Sequence, residues 1–161
     1  MEVKVRPALE KHGLEVASRL RDSDANELWL SHGFGPSEGV IKSMRTGGWS
    51  KAVIVDKQAE VIFGLSWFQG VDKIGCPWML GTDWVYQHPV TIMRLAHTWV
   101  RAMREQARSL HNFVFVDNHR NISWLERLGF SMSPPIPFGP QGALFHPFHM
   151  RGKTCAEQHK P

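Results

Sequence analysis

Among the side chains of this sequence that can move a proton are Asp83, Glu60 and Tyr86, the last being the only tyrosine. A carboxylate can take a proton from an amine, and a phenol can return one to a leaving group. Each also has a structural use. Asp83 reads as a strand-end carboxylate with local hydrogen bonds, Glu60 as a solvated charge flanking a turn, and Tyr86 as a packing residue in a loop. His146 and His149 form a His-x-x-His, but Pro147 lies between them and no third ligand is indicated, so no metal is expected. His97 falls on the apolar face of a long predicted helix and reads as a hydrogen-bonded core histidine. Cys76 and Cys155 match no zinc or redox spacing and read as two reduced thiols.

Whole-chain properties narrow the classes. The 161 residues suit one domain, and the 42 % hydrophobic content excludes disorder as the overall class. No apolar run reaches the roughly 18–20 residues of a membrane helix, and the N-terminus has no apolar signal core. The net charge of +4 is carried in good part by Arg94, Arg101, Arg104 and Arg108 on one predicted helix. They read as a solvated basic face, and no nucleic-acid motif accompanies them. Trp67, Trp78, Trp84, Trp99 and Trp124 fall in predicted core elements and read as packing residues.

The elements that must position these groups follow from periodicity. Val3–Val5 is a short strand, followed by a helix from Pro7 to about Arg21. A second helix spans Ser37 to Met44. Lys51–Val55 and Glu60–Phe68 form a hairpin about the turn Asp56-Lys57-Gln58. Pro77–Val85 is a third core strand, which would carry both Asp83 and Val85. Pro89–Arg108 is the longest helix, with Val90, Met93, His97, Val100, Met103 and Ala107 on its apolar face. Phe113–Val116 is a buried strand of β-formers. Asn118 is a helix N-cap, Ile122, Leu125 and Leu128 form an apolar stripe, and Gly129 is a left-handed stop onto which Phe130 folds back. The proline-rich segment 131–140 cannot be regular helix, and 141–150 reads as a last strand. One domain over 1–150 results, with a polar tail over 151–161 expected to be disordered.

The unit from Phe113 to Phe130 resembles the last strand–helix unit of the GNAT acyltransferase superfamily. That pattern has an Asn, a small residue three on, a Tyr seven on and Gly-Phe eleven and twelve on. Here the places hold Asn118, Asn121, Leu125, Gly129 and Phe130. The resemblance covers residues 3 to 150. It implies an α+β fold, a GNAT-like mixed and mostly antiparallel central sheet flanked by helices, in the order β-α-α-β-β-β-α-β-α-β. It also implies a pyrophosphate held by backbone amides at the start of the long helix, through a loop of Arg or Gln, two residues, Gly, one residue, then Gly or Ala. Here Gln87 takes the first place, Val90 and Ile92 take the glycine places, and Pro89 removes an amide donor. Leu125 stands where many such enzymes have the tyrosine that protonates the departing thiolate. Because bases in this fold often sit on the third core strand, Asp83 is the first candidate base and Glu60 the second, with Tyr86 as a displaced acid.

A narrower likeness joins the Arg6-Pro7 opening, Ser37-Glu38, and the block Trp78-Met-Leu-Gly-Thr82-Asp83 to the arginine-rich helix. It is similar to the GNAT-fold internal virion or head-assembly proteins of short-tailed phages. It implies a non-catalytic phage protein that keeps the fold and acts in virion assembly or through phage or host protein contacts. Such a protein would need no cofactor, would sit in the host cytoplasm or be packaged in the virion, and could self-associate as a homo-oligomer. The alternative is an atypical acyl-CoA-dependent N-acetyltransferase acting on a host or phage amine. That reading uses acetyl-CoA, with Asp83, Glu60 and Tyr86 as catalytic groups and Val85, Gln87, Val90, Thr91 and Asn118 as cofactor contacts.

Overall fold

Alternating apolar residues build the first half of a sheet in the computed structural model, which describes residues 1–153. β1 (Val3–Pro7) pairs antiparallel with β2 (Trp49–Val55), β2 with β3 (Gln58–Trp67), and β3 with β4 (Ile74–Gly81). Asp56 and Lys57 turn the β2–β3 hairpin at positive φ, 46° and 73°, as a tight hairpin turn demands. β3 is apolar on both faces. Val61, Phe63 and Leu65 serve one packing layer and Ile62 the other.

Three helices, α1 (Glu10–Ser18), α2 (Asp22–His32) and α3 (Pro36–Met44), run between β1 and β2. Val16, Leu28 and Val40 from them bury against Ile62 and Leu80. After β4 come α4 (Trp84–Gln87), α5 (Pro89–Gln106), β5 (Ser109–Phe115) and α6 (His119–Leu128). β6 (Ser131–Met132), β7 (Ile136–Phe138) and β8 (Ala143–Arg151) complete the described chain. On the face opposite α1–α3, Ile92 and Met103 of α5 and Leu128 of α6 pack on Phe63, Leu110 and Val114. The sheet order is β1-β2-β3-β4-β5-β8-β6, with β7 also on β8. Among the described strands only β4 and β5 are parallel, so the expected mixed, mostly antiparallel α+β sheet is present.

Several elements differ from the sequence reading. α2 is additional: only Asp24 and Leu28 of its eleven residues are buried, so no apolar stripe announces it. β4 stops at Gly81, short of the expected Val85. There the chain is tied down on both sides, with Gly81 N–H donating to Asp24 Oδ2 at 2.8 Å and Arg21 N–H to Gly81 O at 3.0 Å. Asp83 and Val85 therefore lie beyond the strand, the first at the N-cap of α4 and the second within it. The expected apolar face of the long helix largely holds: Met103 and Ala107 are buried and Met93 and Val100 partly so, joined by buried Ile92 and partly buried Leu95, Ala96 and Trp99. Val90, however, is 63 % exposed and His97 lies in solvent, not in the core. Trp99 packs 5.3 Å from the Phe63 ring and 5.7 Å from the Trp49 ring. Burying an indole outweighs burying a valine or an imidazole, and this sets the helix phase.

The α6 unit follows its sequence. Asn118 accepts from Asn121 N–H at 3.4 Å, Gly129 has φ 101°, and Phe130 N–H returns to Leu125 O at 3.1 Å. His146 and His149 fall on opposite faces of β8 by the two-residue period; His146 Nδ1 meets Ser133 O at 2.8 Å and His149 stacks on His111. Gly152 and Lys153 are fixed by backbone bonds of 2.8 Å to Arg108 O and Arg104 O. The rest of the expected tail, with Cys155, lies outside the described residues. Among the described residues no helix is long and apolar enough to cross a membrane.

Candidate functional site

β4 and β5 pair only at their first residues, Ile74 with Ser109 and Gly75 with Leu110. Beyond that the two strands part. Asn112 reaches across the opening and donates from Nδ2 to Pro77 O at 2.7 Å. A cavity of about 510 Å³ fills the gap and is lined from both faces of the sheet. Trp78, Leu80 and Phe113 contribute on the α2 side, and Met79, Trp99 and Leu125 on the α5–α6 side. Its walls are mostly apolar.

Arg21, Asp24, Glu27 and Lys42 are charged residues in that lining, and Glu27 lies on α2. Its Oε1 accepts from Phe115 N–H at 3.1 Å and from Asn118 Nδ2 at 2.9 Å. Burial raises its pKa to about 7, and these two hydrogen bonds hold it from rising further. Near neutral pH such a carboxyl exchanges a proton readily. One turn earlier, Arg21 Nε and Nη2 grip both oxygens of Asp24 at 2.7 and 3.1 Å, and both side chains are buried. This pair anchors α2 to the end of β4 through Gly81, which places Glu27 at the opening.

A second cavity of about 310 Å³ lies between the α4–α5 junction and α6. It is lined by Arg21, Arg120, Arg127 and Tyr86 among others. Two guanidinium groups lie against the Tyr86 ring, Arg21 at 4.8 Å and Arg120 at 3.9 Å, and its hydroxyl shares a 2.6 Å hydrogen bond with Ser23 Oγ.

The residues singled out from sequence are dispersed. Asp83 is exposed and lines neither cavity. Glu60 is buried, not solvated: it pairs with Arg19 at 3.0 Å, accepts from Thr82 Oγ1, and lines neither cavity. Tyr86 and Val85 line the second cavity, Gln87 and Val90 are exposed, and Thr91 is half-buried. Asn118 caps α6 and holds Glu27. The amides of Val85, Tyr86, Gln87 and His88 donate to Thr82, Asp83, Asp83 and Trp84 carbonyls within the turn of α4. A glycine loop would leave such amides for a phosphate; here a helical turn takes them up.

This fold is shared with known structures. An acetyltransferase of the GNAT family from Streptococcus pneumoniae superposes with TM-score 0.63 at 14 % identity, over 93 % of this chain and 99 % of that one. The ribosomal-protein-S18-alanine N-acetyltransferase from Escherichia coli gives 0.67 at 14 % identity, over 93 % and 94 %. Ard1 from Thermoplasma volcanium gives 0.70 at 13 % identity, over 94 % and 99 %. The fold is that of the GNAT N-acetyltransferases. No family model matches the sequence, and no curated protein matches it. These identities establish the GNAT fold alone, and nothing in the comparisons points to phage virion proteins.

Within this GNAT fold, Glu27 escaped sequence reading because nothing local marks it. Its partners Phe115 and Asn118 are 88 and 91 residues away. The one available signal was the start of α2, where Asp22 and Asp24 suit a helix N-terminus and Arg21 and Asp24 can pair one turn apart.

Proposed function

We propose that this protein is an acyl-CoA-dependent N-acyltransferase with a remodelled phosphate grip. The observation that carries the reading is a mostly apolar cavity open through the split sheet, with Glu27 in its wall at a pKa of about 7. Acyl-CoA, when bound, supplies a thioester whose acyl carbon is open to an amine. The apolar walls on the α5–α6 side suit a thin, weakly polar arm. Arg120 and Arg127, in the second cavity, suit its phosphates in place of the helix-start amides. Glu27 takes the proton of the acceptor ammonium, which frees the lone pair for attack. Tyr86, beside two cationic groups, is the nearest acid to the second cavity. Asp83 and Glu60 take no part in this scheme, the first facing solvent and the second held by Arg19 and Thr82.

Calorimetric titration with acetyl-CoA and free CoA, followed by thiol release with added amines, tests the reading. Saturable binding and amine-dependent release support it. Absence of binding at millimolar ligand overturns it.

A second reading has its own observation: the β4–α5 connection holds no glycine and the amides of residues 84–88 are engaged. On that reading the fold serves contacts alone, with phage or host proteins or with itself, as the narrower sequence likeness implies. Failure of both CoA ligands to bind, together with recovery of the protein from purified phage particles, would favour it.

A further inference from the structure

The α2 side of the large cavity is an aromatic chamber. Phe113 and Phe138 stack at 4.2 Å, Phe145 meets Phe138 edge-on at 5.4 Å, and His32 bridges Phe34 and Phe138. The strap that brings Phe138 here is clamped to the end of α2. At Gly139, with φ 84°, a Cβ would collide with Leu30 O and Ser31 O. No side chain fits between them, so the strap is a wall of the chamber.

On this side Trp78 Nε1 is buried without a partner, and most other polar side chains are matched. Arg21 and Asp24 hold each other, Ser43 donates to Gly39 O, and Thr46 bonds Ser43 O and Ser66. Ser31 meets His32 Nδ1, Lys42 pairs with Glu38, and Asn112 bonds Pro77 O and Phe113 N–H. Glu27 differs: both its hydrogen bonds fall on Oε1, and Oε2 remains for an incoming donor. A chamber of aromatic walls with one open carboxylate oxygen selects a ligand that is apolar except for one donor. A peptide suits these walls less well, because each of its residues brings an N–H and a C=O for which aromatic rings offer no partner.

We propose that this chamber binds a small arylalkyl amine, a primary amine on a short carbon arm bearing a flat apolar ring, with the ammonium at Glu27 and the ring among Phe34, Phe113 and Phe138. Its role as acyl acceptor rests on the acyl-transfer reading; its binding does not.

Titration of the protein with 2-phenylethylamine, ethylamine and a hexapeptide beginning with alanine, without any CoA ligand, tests this. We expect 2-phenylethylamine to bind at least about tenfold more tightly than either of the others. Glu27→Gln should weaken it by about tenfold or more, through loss of a charge-assisted hydrogen bond. Phe34→Ala, at a half-buried position, should weaken it severalfold, and circular dichroism of both variants confirms folding. Equal or tighter peptide binding overturns the proposal, as does unchanged affinity in Glu27→Gln. No 2-phenylethylamine binding at about 10 mM does so too. Acetyl-CoA titrated into the same protein separates the two ideas. Amine binding without acetyl-CoA binding overturns the acyl-transfer reading alone, and acetyl-CoA binding without amine binding overturns the chamber's proposed ligand alone.

Discussion

Glu27 carries a measurable thermodynamic signature. Its folded pKa of about 7 lies above the ordinary 4.5, so the native state holds the proton more tightly than the unfolded chain. The resulting stability is complete below about pH 4.5 and is lost as pH rises through 7. Urea denaturation across this window should show wild type losing about 2 kcal/mol relative to Glu27→Gln, after allowance for partial exposure of the side chain. A difference that stays flat with pH would show that Glu27 does not titrate there. In the acyl-transfer assay the same group should give a rising limb near pH 7. The glutamine variant should lose that limb and about 10²- to 10⁴-fold in kcat/KM. Burial acts on Cys76 in the same direction, pushing its thiol up to about 12, which leaves it inert as a nucleophile at neutral pH.

At the scale of elements, α6 links local sequence to the site. Asn118 caps the helix with its oxygen and holds Glu27 with its nitrogen. Asn118→Ala should therefore cost about 1 kcal/mol in denaturation midpoint analysis. It should also move the rising limb of the rate profile to higher pH, because a donor to the charged form of Glu27 is lost. A stability loss with an unmoved limb would separate the two roles. Arg120 projects from the same helix over Tyr86. Arg120→Ala should weaken acetyl-CoA binding by about tenfold, with a shallower dependence on salt, while leaving the fold intact. Calorimetry at two ionic strengths reads both effects.

These elements also show what sequence can and cannot reveal. The cap, stripe and stop of α6 lie within a dozen residues of one another, so local chemistry makes them readable. The helix α2 buries just Asp24 and Leu28, and its identity comes from ties to Gly81 and Phe115 in distant strands. Trp84 and Val85 looked like the end of a strand because burial on a helical turn and in a sheet draws on the same residue types. The site was legible as a kind of cleft in a kind of fold, whereas the carboxylate in its wall depended on contacts that no window of sequence contains.

For the whole molecule, the divided sheet makes ligand and stability inseparable. A ligand filling the gap binds the native state and not the unfolded chain. At about 100 times its Kd it should add about 2.7 kcal/mol. For a chain of this size that corresponds to a rise of about 5–10 °C in Tm. Thermal melts with acetyl-CoA, 2-phenylethylamine and both together would show whether the two halves of the cavity respond independently. Unequal sharing would appear as a combined shift different from the sum of the separate ones.

The meeting of β4 and β5 has a mechanical meaning as well. Two residue pairs and the Asn112 strut form the seam between β1–β4 and β5–β8, whereas β2–β3 and β5–β8 are joined along most of their lengths. Tension applied between residues 1 and 153 crosses that seam, the shortest ladder between the two halves. Under an optical trap the molecule should tear there first, releasing two pieces in succession, and a guest wedged in the gap should raise the force of the first rip.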